Sequence, residues 1–352
     1  MSRRLRPATI RLGLCLANCA LGSWLLLMPA AAQQSSLERV VLGTSAGLTS
    51  SVYIAIERGY FAAEGITTDI ENFRTPPETA PEIATGQLDI GLQGVSPALF
   101  NLLARDTGAR VVVDNAIVHP SREFNQTALV GRKALWDSGQ VRGAADLRGR
   151  RVGLAVPGGS HELLLDRMLR MAGLELSDVE IVGVPFPDML PALANGAIDA
   201  AIEVEPFITA GTGQGILVEL VLAGEAYPGQ EIAVLVYSRR FAEERTEVAR
   251  RWMVANIRGA RDLNDAMYTG RDRDEIVRIL ARYSGLDADR LPPRAALRAT
   301  NPDGYVNTAT MAADLEWFTA RGAVPQPPNP AALADNSFVD YALTVLGPYS
   351  PR

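Results

Sequence analysis

Covalent chemistry needs nucleophiles, acids, bases or metal ligands within reach of one another, and this chain offers few. Its two histidines are His119 and His161, and its two cysteines, Cys15 and Cys19, both lie near the start. No His/Cys/Asp cluster at ligand spacing surrounds His161, so neither a metal centre nor a general-base pair is implied. His161 reads as a solvated residue at a helix start or as a ligand contact. His119 precedes Pro120 in a polar segment that could reach the same site. Three carboxylates stand out: Asp188, which could cap a helix, and Glu203 and Glu205 around the end of an apolar strand. Ser96 and Ser160 each follow a glycine-bearing loop and open a helix. Free N–H groups at such helix starts can hold a carboxylate, sulfonate or nitrate without any arginine, although simple capping is the alternative. The chemistry on offer is binding.

The elements that position these residues alternate between strand and helix. Val40–Leu42 is a short apolar strand running into the small-residue loop Gly43–Ser51, where Ser50 or Ser51 caps a helix. In that helix Val52, Tyr53, Ile56 and Tyr60 share one face. Strands follow at 66–73, 88–92, 110–113, 127–132, 152–156, 181–184, 198–202 and 232–238, separated by helical stretches. This order predicts an α/β protein with mostly parallel sheets. Ligands in such sheets sit beyond the carboxyl ends of strands. That rule selects Thr44, Ser45, Gln93, Gly94, Val95, Ser96 and Asn115 in a first lobe. It selects Gly158, Gly159, Ser160 and His161 in a second. Tyr53, Phe124, Phe186 and Phe207 could line an apolar wall, though core packing is the commoner fate of such residues. The charged run around Arg250, Arg251, Arg258 and Arg261 reads as a solvated helix face.

Residues 1–32 read as a secretory signal: Arg3, Arg4, Arg6 and Arg11 precede an apolar core from Leu12 to Met28, and Ala30-Ala31-Ala32 offers a cleavage site. Cleavage would remove both cysteines and leave the chain, of formal charge −6, still more acidic. That balance argues against nucleic acid or an anionic membrane as partner. What remains is longer than one core usually holds, so two lobes are expected. Residues 33–130 and 235–352 would build the first and 131–234 the second, joined by two crossings. The lobes echo each other, with Gly86-Gln87-Leu88-Asp89-Ile90-Gly91 in one and Gly196-Ala197-Ile198-Asp199-Ala200-Ala201 in the other.

The run Ala55-Ile56-Glu57-Arg58-Gly59-Tyr60-Phe61 followed by Glu64-Gly65-Ile66 resembles the signature of periplasmic substrate-binding proteins of ABC importers, in the nitrate, sulfonate, taurine and thiamine-precursor branch. Further features recur in order: Asp146-Leu147-Arg148-Gly149, Gly158-Gly159-Ser160, Asp188-Met189-Leu190-Pro191 and Glu205-Pro206-Phe207. The resemblance implies a type II periplasmic-binding-protein fold, a clamshell of two α/β lobes closing on a ligand between them. It also implies a monomer in the periplasm that delivers its ligand to a membrane permease, with no cofactor and no reaction. It places Glu205 at the cleft or hinge. A carboxylate there would accept from a donor group and repel a bare anion, favouring an organic ligand of sulfonate, pyrimidine or aromatic acid class. Two rivals share the fold: an enzyme of thiamine-pyrimidine or menaquinone type, and a sensory partner of a membrane receptor.

Overall fold

The computed structural model describes residues 37–45, 48–284 and 297–351; the expected signal segment lies outside them. Among the described residues ten strands form two five-stranded sheets. The first holds β1 (Glu38–Thr44), β2 (Ile66–Asn72), β3 (Ile90–Gly94), β4 (Arg110–Ile117) and β10 (Glu231–Tyr237), in the order β2-β1-β3-β10-β4. The second holds β5 (Thr127–Arg132), β6 (Arg151–Leu154), β7 (Glu180–Gly183), β8 (Ala200–Val204) and β9 (Leu217–Leu222), in the order β7-β6-β8-β5-β9.

The two orders are one plan used twice. In each sheet the second strand, β1 or β6, pairs parallel with both neighbours, and one reversed strand fills the penultimate place. The expectation of mostly parallel sheets is therefore corrected: β10 and β5 run antiparallel to both of their neighbours. The reason is connectivity. β5 and β10 are the strands that receive the chain as it crosses from the other sheet. A chain arriving from the strand ends of one sheet enters the other against the direction of its strands.

The sequence echo has a structural meaning. Asp89 accepts the Val41 N–H through its carboxylate at 3.0 Å and returns its own N–H to the Val41 carbonyl at 3.1 Å. Asp199 does the same with Arg151, at 3.1 and 2.9 Å. Each latches the start of its strand to the strand beside it. Just before each lies a left-handed glycine, Gly86 (φ 74°) or Gly196 (φ 78°), that ends a helix. Arg245 pairs with Asp89 at 3.0 Å, which supplies the buried carboxylate with a counter-charge.

Both expected caps, Ser50 and Ser51, lie inside the helix Ser50–Glu57. Thr49 takes the cap position, and Ser51 instead donates to Asn256 at 2.9 Å. Asn256 belongs to the helix Thr246–Tyr268, which crosses it closely at Gly259. A Cβ there would stand 2.1 Å from the Ser51 carbonyl oxygen. This second helix is not a solvated face. Trp252, Met253, Ile257 and Leu263 are buried, and its arginines bind other segments: Arg251 to Glu38, Arg258 to Glu64, Arg261 to Asp303.

The largest apolar cluster runs through both sheets. Val234 and Val236 of β10, Leu129 of β5 and Leu164 belong to it, together with Met311, Leu315 and Phe318 of the helix Thr308–Ala320. Polar bonds reinforce this helix as a bridge. Trp317 donates to Asp166 of the helix Ser160–Met171 at 2.9 Å, and buried Asp314 accepts from Tyr227 at 2.8 Å and Gln230 at 3.0 Å.

Candidate ligand cleft

The two crossings run side by side. Val118 donates to the Gln230 carbonyl and Gly229 to the Val118 carbonyl, each at 2.9 Å. Asn125 accepts the Gly224 N–H at 3.0 Å. Gly224 has to be glycine here, because a Cβ would meet the His119 carbonyl oxygen at 2.4 Å. A small cavity opens beside these strands. It is lined by Val118, Thr127, Gln230 and Ile232 from the crossings and their strands, and by Ser160, His161 and Leu164 from the helix Ser160–Met171. Its volume is about 10 Å³, room for a single water, so its walls stand almost in contact.

On the first-sheet side, four selected residues present buried polar atoms without a partner among the described residues: Ser45 Oγ, Gln93 Oε1, Ser96 Oγ and Asn115 Oδ1. They lie just past β1, within and just past the end of β3, and within the end of β4, three strands of one sheet. Ser96 sits at the N-cap of the helix Pro97–Ala104 yet makes no capping bond. Asn115 is held by its other amide atom, which donates to the Leu48 carbonyl at 2.9 Å. Buried polar atoms of this kind are scarce in folded proteins and call for an explanation. An external partner is one.

Other selected residues serve the fold. Thr44 turns its hydroxyl to the Ser45 carbonyl and to Thr49. Gln93 donates to Thr79 at 2.6 Å and to the Pro76 carbonyl at 3.0 Å, which fixes the turn beneath it. The Val95 side chain is in the core and its N–H is taken by the Ile232 carbonyl at 2.9 Å, while Gly94 pairs with Ala233 of β10. Tyr53 is buried and stacks on Tyr283 at 4.1 Å.

On the second-sheet side, Gly159 caps the helix that Ser160 opens. The Gly158 N–H does not face a ligand; Glu162 of the same helix accepts it at 2.7 Å. His161 stands edge-on to Phe186 at 5.4 Å. Burial, with the Arg298 charge added, pushes the His161 pKa down to about 4, so the ring is neutral at pH 7. Asp188 is exposed in the first turn of the helix Phe186–Asn195 and is not its cap residue. Phe207 is half-buried against an apolar cluster of the second sheet.

Glu205 changes the expected ligand chemistry. Its carboxylate accepts from the Thr209 N–H at 3.1 Å and the Thr209 hydroxyl at 3.0 Å. It is engaged by the helix that follows, so the inference of a ligand with a donor group loses its footing. Glu203, fully buried on β8, has one oxygen bonded to the Val204 N–H at 3.0 Å and one without a partner among the described residues. Burial pushes its pKa up to about 8.

Sequence reasoning missed Arg298. The segment carrying it is pinned on both sides: Gln126 donates to the Leu297 carbonyl at 3.0 Å, and Ile117 of β4 donates to the Ala299 carbonyl at 2.9 Å. Its charge acts on His161 and on Tyr53. Among the described residues no carboxylate forms an ion pair with it. No motif marks this position, because it depends on a late segment folding back against β4. Nor is there, among the described residues, any cluster of His, Cys, Asp and Glu able to hold a metal ion.

Comparison with known proteins agrees with this architecture. A Brucella abortus protein named only as a binding protein is 26% identical over 80% of this chain and 85% of its own length. The periplasmic nitrate-binding protein NrtA from Synechocystis superposes with a TM-score of 0.71 at 14% identity, over 88% of this chain and 89% of that one. The alkanesulfonate-binding protein SsuA from Xanthomonas axonopodis, bound to MOPS, gives 0.65 at 20% identity over 85% and 98%. The NMT1/THI5 like family model matches residues 49–265, more than half of the sequence, and with that match the expectation raised by the Ala55–Ile66 signature holds: the chain belongs to the NMT1/THI5-like family.

Proposed function

We propose that this chain is the solute-binding component of an ABC-type importer. It takes a small polar organic molecule into the cleft between the two sheets and presents it to a membrane permease. The observation that carries the reading is the match of residues 49–265 to the NMT1/THI5 like family model, in a chain whose two sheets are joined by paired crossings. It is supported by the orphaned polar atoms of Ser45, Ser96 and Asn115 beyond the strand ends. The kinship with proteins named for binding nitrate and alkanesulfonates points the same way. Residues 33–130 and 235–352 form one lobe and 131–234 the other, with the paired crossings as hinge. Ligand contacts made to both lobes only when they close would shift the population towards the closed form. The working protein is a periplasmic monomer without cofactor and catalyses no reaction. Among the described residues no helix is long and apolar enough to cross a membrane.

The test is a set of thermal melts of residues 33–352 against nitrate, taurine, alkanesulfonates, aromatic carboxylates and hydroxymethylpyrimidine. A ligand at 100 times its dissociation constant stabilises by about 2.7 kcal/mol, a rise of several degrees for a chain of this size. Ser96→Arg should fill the cleft and abolish the shift while leaving the far-ultraviolet circular dichroism unchanged. Undiminished ligand affinity in that variant would remove Ser96 from the site.

A further inference from the structure

We propose that the helix Thr308–Ala320 is a strap between the lobes, and that the bond from Trp317 to Asp166 is a latch that favours the closed cleft. The proposal rests on the clamshell reading above for its two lobes, and on no particular ligand. The helix falls in the stretch assigned to the first lobe, and Phe318 packs beside Phe100 there at 6.1 Å. Yet the Trp317 indole N–H reaches across to Asp166 of the helix Ser160–Met171 at 2.9 Å. The first turns of that same helix supply Ser160, His161 and Leu164 to the cavity, with Val118, Gln230 and Ile232 as its other walls. Asp166 and this wall therefore travel together as one element. The bond is made in a structure whose cavity has room for a single water, so it belongs to the closed side of the motion.

Two features distinguish a latch from a fixed joint. The first is that the bond can break without stranding either half. Asp166 is buried, but Arg170, one turn along its own helix, donates to it at 3.1 Å. Trp317 carries the Arg321 guanidinium over its ring at 3.8 Å, again from one turn further along its own chain. Each half keeps a local companion after separation, which removes the penalty that an abandoned buried group would impose. Asp314 is the contrast. It is wholly buried and bonded to Tyr227 and Gln230 beside the second crossing, the pattern of a pivot. The second feature is an unfinished contact. Asp166 Oδ2 takes the bonds from both Trp317 and Arg170, whereas Oδ1 is buried and accepts none among the described residues. The Arg321 guanidinium stands 3.8 Å from that oxygen, just beyond hydrogen-bond distance. A slight further approach of the two helices completes the pair, and such charge-assisted bonds are roughly twice as strong as neutral ones. Closure on a ligand supplies that approach.

The experiment reads the distance between the lobes without any ligand. Residues 33–352 hold both sheets and every bond named here, and they exclude Cys15 and Cys19. Spin labels are attached at Arg74→Cys and Pro187→Cys, exposed positions that follow the edge strands β2 and β7 of the two sheets. Double electron–electron resonance then gives the distance distribution. Trp317→Phe and Arg321→Gln, each in that labelled background, should raise the ratio of open to closed molecules roughly 5- to 20-fold, the loss of one charge-assisted contact. Asp166→Asn keeps an acceptor for the indole and should fall between those variants and the labelled background. Two distance populations whose weights the variants leave unchanged overturn the latch while the clamshell reading stands. That holds even if the variants lower the urea midpoint, since the bond would then be a structural tie only. A shift towards the shorter distance also overturns it, because the bond would then belong to the open form. A single narrow distance common to every variant overturns the latch and counts against the clamshell as well.

Discussion

Glu203 is a carboxyl that the fold keeps protonated, and it is not alone. Burial raises Glu203 to about 8, Asp114 to about 7 and Asp314 to about 6. In the unfolded chain such groups ionise near pH 4. Between that pH and the folded values the native state holds protons that the unfolded state has released, so stability falls as pH rises through 6 to 8. The contribution is complete only below about pH 4. Glu203→Gln should therefore flatten the decline, and at pH 9 it should be more stable than wild type by about 1–3 kcal/mol. Urea melts at pH 5 and pH 9 decide it; equal midpoint differences at the two values would show that Glu203 ionises without cost. At this scale the sequence was partly legible. The rule that ligands lie past strand ends selected Ser45, Ser96 and Asn115, whose buried side-chain oxygens have no partner among the described residues. It also selected Val95 and Gly158, whose N–H groups are spent on Ile232 and Glu162, because hydrogen-bond partners do not show in a linear pattern. Arg298 was invisible for the same reason.

The helix Thr246–Tyr268 shows how an element can be misjudged while its existence is plain. Its arginines gave it the look of a surface helix. They lie around a buried face and reach outward to tie Glu38, Glu64 and Asp303 to it. Gly259 marks the buried side. Replacing glycine by alanine inside a helix ordinarily stabilises by about 1 kcal/mol. Here the new methyl would overlap the Ser51 carbonyl, a backbone atom that moves only if the whole Ser50–Glu57 helix moves. Gly259→Ala is expected to destabilise by about 2–4 kcal/mol, the steric term overriding propensity. A higher melting temperature in the variant would show that the two helices separate easily. Strand and helix alternation was read correctly from hydrophobic runs bounded by glycine and proline. Strand direction was not, because the reversal of β5 and β10 follows from where the chain comes from, not from the residues within them.

At the scale of the molecule, the two sheets share an apolar cluster and a bridging helix, Thr308–Ala320. They should unfold together despite being separate sheets. Single-tryptophan variants retaining Trp136, beside β5, or Trp252, under the first sheet, ought to report the same urea midpoint. Two midpoints would mean that the shared cluster does not couple them. The strand order carries one more consequence. In the first sheet β10 lies between β3 and β4, yet it is the last strand to be made. A chain emerging from the N-terminus completes β1 to β4 with a slot where a central strand belongs, two bare edges facing each other. The whole second sheet must be synthesised before Glu231 arrives to fill it. For that interval the nascent chain displays unpaired backbone to any strand nearby, the condition under which polypeptides associate with the wrong neighbour. A terminator placed anywhere before β10 should thus yield an aggregate, and never a small soluble domain.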